Sequence, residues 1–226
     1  MNILQSLLSL MTSGMMLLSS GLETVAPHQN VNGNLFLVNR QWMITENYTP
    51  SVVDAQVRGQ VRSMRSDAAA ALKEMFDACK SETGKTLVSV SGYRSFQKQT
   101  YLYKRKLRRV NGSVKKAQNY VAPPGSSEHQ LGLAMDIGQR DSDGLTAAFG
   151  KTEGGAWARE NCWRFGFILR YDEPWESVTG YKYEPWHFRY VGKENARAIH
   201  KANIPLETWL QKYRISLLLE LLEEGN

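Results

Sequence analysis

The chain has 226 residues, 42% of them hydrophobic and 22% charged, and a formal net charge of +6. These are the proportions of an ordinary globular protein with one generous domain, and they exclude a repeat array or a low-complexity chain. The only cysteines, Cys79 and Cys162, form no CxxC pair, which argues against a cysteine metal site and favours two buried thiols over a disulfide.

Residues 1–22 carry no charged side chain, and Leu4, Leu8, Met11, Met15, Leu18 and Leu22 fall on one helical stripe. Serines and threonines interrupt the stripe, so it is a poor membrane span. A signal-like leader, a packing helix and a disordered extension all fit it, although the basic n-region of a signal is missing. Pro27 to Asn34 reads as a turn-rich linker, and Leu35 to Arg40 as a short strand or an extended entry to the domain.

Ser66 or Asp67 can cap a helix running to about Lys80, ended by Thr83-Gly84. Leu87 to Ser91 is a β-rich run that leads into Gly92-Tyr93-Arg94-Ser95. A helix is expected from about Ser95 to Val110, burying Phe96, Tyr101, Leu102 and Leu107. Its cations, with Lys115 and Lys116, supply much of the positive charge. A solvated helix face is the plain reading of this cluster. No nucleic-acid module accompanies it, so any polyanion it meets is expected to be a cell-wall polymer.

Gly132 to Gly138 reads as a strand with Leu133, Met135 and Ile137 facing a core and Ala134, Asp136 and Gly138 on the opposite face. Residues 139–153 and Asp172 to Tyr181 are expected to be loops, and Ala156 to Arg164 a helix that ends near Gly166. Phe167 to Tyr171 and Trp186 to Val191 read as strands, and 194–202 and 206–222 as helices. Helices around a few strands, without βαβ alternation, imply an α+β domain on a small, mainly antiparallel sheet. The expected organisation is an extension over 1–34, one domain over 35–212 and a helical tail over 213–226.

Two segments carry chemistry. Ser127 to Asp136 contains His129 and Asp136, seven residues apart, and Glu184-Pro185-Trp186-His187 adds a second imidazole and a carboxylate. Two histidines and one aspartate, without cysteine, suit a single zinc ion, and three protein ligands leave its fourth position open, as catalysis needs. Glu184 is then the spare carboxylate, a general base toward water and a proton donor to the leaving amine. Positions i and i+3 of an ideal strand face opposite ways, so Glu184 and His187 serve one site only if Pro185 bends the backbone. Arg94 can bind a substrate carboxylate or a developing oxyanion. Trp186 and Tyr190 could wall a pocket or simply pack.

Ser91-Gly92-Tyr93-Arg94-Ser95, Ser127-x-His129-x-x-Gly132-x-Ala134-x-Asp136 and Glu184-x-Trp186-His187 resemble the three motifs of the VanY/VanX-like zinc carboxypeptidases, a group that includes lysostaphin-type enzymes and the hedgehog signalling domain. The similarity runs from about Leu35 to Leu210. It implies that His129, Asp136 and His187 hold one zinc ion, that Glu184 is the catalytic base, and that Arg94 binds the oxyanion or carboxylate. Gln99, Ser127 and Trp186 would contact substrate. It further implies that a C-terminal D-alanine is released from peptidoglycan stem peptides outside the cytoplasm, with D-Ala-D-Ala cleavage favoured. An L,D-carboxypeptidase, a stem-peptide endopeptidase and a non-catalytic wall-binding module share the motifs.

Overall fold

The computed structural model describes residues 30–140 and 145–224, so the expectations for residues 1–29 and for the last two residues lie outside the described part. Two short strands, β1 (Val53–Asp54) and β2 (Ser63–Met64), pair antiparallel ahead of the first helix. Helix α1 (Ser66–Thr83) follows, then β3 (Leu87–Ser91), α2 (Phe96–Arg109) and α3 (Val114–Gln118). After β4 (Ala134–Gln139) come α4 (Glu153–Asn161), β5 (Phe167–Leu169) and β6 (His187–Tyr190), and the chain closes with α5 (Lys193–Ala202) and α6 (Leu206–Glu224).

The main sheet has the order β3-β4-β6-β5, and each neighbouring pair is antiparallel. Leu133, Met135 and Ile137 lie in one core with Phe188 and the buried face of α1, which is Ala68, Ala71, Leu72, Met75 and Cys79. The period of two along β4 thus falls where alternation placed it. A second apolar cluster, with Ile168, Val191, Ile199, Leu206 and Leu210, docks α5 and the start of α6. Cys79 and Cys162 are buried free thiols, and burial pushes Cys162 up to about 12.

Some expectations need correction. Of the two readings of Leu35 to Arg40, the strand is absent: Leu35 lies in a turn, 36–38 enter the domain without regular structure and 39–40 bend, with Phe36 and Val38 buried and the Phe36 carbonyl accepting from Arg189. Asp172 to Tyr181 is not plain loop but holds two helical turns, Glu173–Trp175 and Glu176–Thr179. Asp172 Oδ1 accepts from the Glu173 amide, Pro174 needs no donor in the first turn, and Gly180 closes the second at φ +75°. Helix α2 was expected to bury four apolar residues, yet only Gln99 is buried. The helix stands on the surface, and Tyr101 is exposed beneath Lys98 and Arg105, which lie over its ring.

Helix α6 runs unbroken past residue 212, and beyond Leu210 its apolar residues Ile215, Leu218 and Leu219 are exposed. No helix among the described residues is long and apolar enough to cross a membrane.

Candidate active site

The site lies on the face of the sheet opposite the α1 core. Asp136 on β4 stands directly across from His187 on β6, and such cross-strand partners project to the same side. Ser91 at the end of β3 also pairs with Asp136, after a register shift between Ser89 and Ser91, so Arg94 enters from that side. His129 comes from a 3-10 turn, Glu128–Leu131, just before β4. Gly132 ends that turn with φ +70°, a left-handed conformation that a residue with Cβ adopts only with strain, and the chain turns back into the strand. His129 and Asp136 therefore meet although six residues separate them in sequence.

Glu184 joins through a turn. The His187 amide donates to the Glu184 carbonyl at 3.0 Å, with Pro185 at the second position, where its fixed φ favours a β-turn. The expected bend is present, and Glu184 Oε2 comes within 4.0 Å of His187 Nδ1.

Donor atoms of His129, Asp136 and His187 all lie within 4.8 Å of one another, and all three residues are buried. His129 Nε2 is 3.2 Å from Asp136 Oδ2, and His187 Nδ1 is 3.0 Å from Asp136 Oδ1. The other nitrogen of each ring is engaged behind the site. His129 Nδ1 bonds the Gly92 carbonyl at 2.8 Å, and His187 Nε2 bonds Glu128 Oε2 at 3.2 Å. Such outer partners fix the tautomer, so each imidazole presents its free nitrogen to the cluster. Two oriented imidazoles and a carboxylate fit one divalent cation.

Without a cation the cluster holds protons instead. Burial and the neighbouring Arg94 push His129 down, against the pull of Asp136. His187 is partly penalised by burial, but hydrogen bonds and charge from Asp136 and Glu128 lift it to about 9. Asp136 is burdened by burial, yet the two histidines hold its carboxyl well below the usual range. Burial raises Glu184 to about 8, against the pull of His187. The folded, metal-free protein thus keeps protons on His187 and Glu184 that the unfolded chain releases near their ordinary values of 6.5 and 4.5. Their contribution to stability is present below those ordinary values and is lost as pH rises through about 8 and about 9. The melting temperature of chelated protein should therefore fall from pH 6.5 to pH 9, the span between the two values of His187. A flat or rising calorimetric profile over that span would contradict the assignment.

Arg94 points at the cluster. Its Nη2 is 3.6 Å from Asp136 Oδ2 and donates to Ser91 Oγ at 2.9 Å, while Nη1 donates to Gln99 Oε1 at 2.9 Å. Gln99 is fully buried, and its Nε2 donates to the Ala122 carbonyl, so both ends of the amide are occupied behind Arg94. Ser127 and Trp186 do line the cleft, which encloses about 330 Å³ above Arg94, His129, Asp136 and Glu184. Tyr190 lies away from it, in the core against Phe167.

Three residues escaped the sequence reading. Glu128 is buried and accepts from Arg170 Nε at 2.8 Å and Arg189 Nη1 at 2.9 Å, besides His187. Arg170 also pairs with Glu207 at the start of α6, and Arg189 donates to the carbonyls of Asn34, Phe36 and Tyr190. Their signal was present: an arginine following Phe167-Ile168-Leu169 and another between Phe188 and Tyr190 are charges inside otherwise apolar runs.

A family model described as VanY, D-alanyl-D-alanine carboxypeptidase, matches residues 61–193. The putative carboxypeptidase YodJ of Bacillus subtilis (strain 168) is 44% identical over 203 residues, covering 86% of this chain and 72% of that protein. Among solved structures, the LdcB LD-carboxypeptidase superposes with a TM-score of 0.75 at 44% identity, covering 81% of this chain and 88% of that one. A vancomycin-resistance D,D-pentapeptidase VanY, solved with Zn(II), gives a TM-score of 0.67 at 34% identity, covering 78% and 98%. The site lies within the matched span, and the chain belongs to the VanY family of D-alanyl-D-alanine carboxypeptidases.

Proposed function

We propose that the chain is a zinc carboxypeptidase that releases the C-terminal D-alanine of peptidoglycan stem peptides, with D-Ala-D-Ala ends as the favoured substrate. The observation that carries this reading is a buried carboxylate, Glu184, beside an oriented His-Asp-His cluster at the floor of a cleft. His129, Asp136 and His187 would hold the zinc, which supplies Lewis acidity toward water and toward the scissile carbonyl. Glu184 takes a proton from the attacking water and returns it to the leaving amine, the role of a carboxylate placed beside the cluster. Arg94, fixed by Ser91 and Gln99, offers N–H donors to the oxyanion or to the terminal carboxylate. Trp186 and Ser127 flank the bound peptide. Such a substrate places the protein's work in the cell envelope.

A second reading is L,D-cleavage of the tetrapeptide, supported by the greater identity to the LdcB LD-carboxypeptidase than to the D,D-pentapeptidase. Mass analysis of defined penta- and tetrapeptide stems separates the two. The proposed activity shortens the pentapeptide by one alanine and stops, whereas L,D-cleavage converts tetrapeptide to tripeptide. Loss of neither alanine from either stem would refute both. Chelation should abolish turnover and leave the far-ultraviolet circular dichroism intact, because the α1 and α5 cores are built without the cluster. Unfolding on chelation would contradict that.

A further inference from the structure

Helix α2 forms one wall of the cleft, and the residues that line it are Leu102, Arg105, Lys106 and Arg109. Their spacing of i, i+3, i+4 and i+7 is one stripe of a helix. The helix carries six Lys or Arg residues and no Asp or Glu. Lys104 and Arg108 are exposed but face away from the cleft, while Arg105, Lys106 and Arg109 stand in the same cavity as Arg94, Asp136 and Glu184. Arg105 lies over the Tyr101 ring and Lys106 over the Tyr120 ring, which also lines the cleft. Among the described residues none of these three cations has a carboxylate within ion-pair distance. One end of the cleft is thus acidic around a cation site, and the other end is basic.

We infer that this basic end is a subsite for a free carboxylate on the acyl side of the substrate, about three residues before the C-terminal alanine; the inference rests on the carboxypeptidase reading. Length supports it. Gln99, which bonds Arg94, precedes Arg105 by six residues and Arg109 by ten. At about 1.5 Å per helical residue that is roughly 9–15 Å. An extended peptide covers about 3.3–3.6 Å per residue, so the cations stand roughly three to four residues from Arg94. In a pentapeptide stem the second residue is a γ-linked D-glutamate, and its α-carboxylate, free or amidated, is three residues before the terminal alanine. Arginine in a cleft with low-dielectric walls holds a carboxylate well and an amide poorly.

The test uses two pentapeptides ending in D-Ala-D-Ala that differ only in whether that carboxylate is free or amidated. The free acid should have the higher kcat/KM by about tenfold, mainly through KM, as one charge-assisted contact in a half-exposed cleft provides. The double variant Arg105→Ala/Arg109→Ala should bring the ratio toward one, and salt should shrink it in the wild type. Lys104→Ala/Arg108→Ala removes the same charge from the outer stripe and should leave the ratio standing. Equal wild-type rates on the two peptides would overturn the subsite, and so would equal loss of preference in both double variants. If neither peptide is cleaved, the proposed function fails. Calorimetric binding of the two peptides to the Glu184→Gln protein then decides the subsite separately: tighter binding of the acid upholds it, and equal or absent binding overturns it.

Discussion

Replacing Glu184 with glutamine is expected to lower kcat on a D-Ala-D-Ala stem by about 10²–10⁴-fold, the usual contribution of a positioned acid-base group, with the metal still bound. The substitution keeps shape and burial, removes the proton acceptor and leaves in place the three residues proposed to hold the metal. Loss should fall on kcat more than on KM, because the proton moves only as the reaction proceeds. Steady-state kinetics and the metal content of the purified variant together check the assignment. Near-normal turnover with metal retained would remove Glu184 from the mechanism and assign the proton transfer to another group. Loss of metal would instead mean that Glu184 supports the cluster. The geometry argues for lost turnover with the metal kept: the contact of Glu184 with His187 Nδ1, 4.0 Å, is longer than a hydrogen bond.

What could be read from the sequence follows from how local each signal was. His129 and Asp136 belong to one turn-strand segment, and alternation along 133–137 already separated the core face from the site face. The bend at Pro185 was legible because proline fixes φ. Burial of α2 was misread because its apolar residues have helical period whether the helix packs on a core or stands beside a cleft; only tertiary context separates the two. The place of Gln99 behind Arg94 depends on the Ala122 carbonyl, twenty-three residues away, and no local pattern carries that. The helical turns after Asp172 were hidden by turn-rich composition, although Asp172-Glu173-Pro174 is itself a helix-start signature.

Glu128 had the same disadvantage as Gln99, and removing it should have the larger structural effect. Its two oxygens serve three donors: Oε1 accepts from Arg170 and Arg189, and Oε2 accepts from His187. Charge from both arginines and the bond from His187 hold its carboxyl far below the usual range, despite complete burial. Glu128→Ala leaves two buried guanidinium groups short of their anion, and breaking such a pair costs about 3–5 kcal/mol. That is a large share of the roughly 5–15 kcal/mol that holds a domain together. Glu207 partly compensates Arg170, but Arg189 retains only carbonyl acceptors.

Glu128→Gln is the finer test, because the amide has one oxygen and one NH₂ where the carboxylate had two acceptors. If the oxygen faces the arginines, the NH₂ meets His187 Nε2–H, donor against donor. His187 then relaxes only by moving its proton to Nδ1, the nitrogen that should bind the metal. With the amide reversed, the NH₂ opposes Arg170 and Arg189 instead. Either way the variant should bind zinc about 10–100-fold more weakly, the usual cost of losing an outer-shell partner, and melt at a lower temperature than the wild type. Competition against a chelator reads the affinity and calorimetry reads the stability. Wild-type values in both would mean that His187 is oriented by Asp136 and the packing of Tyr171 alone. Weakened zinc binding would identify this buried anion as the group that turns a strand histidine into a ligand.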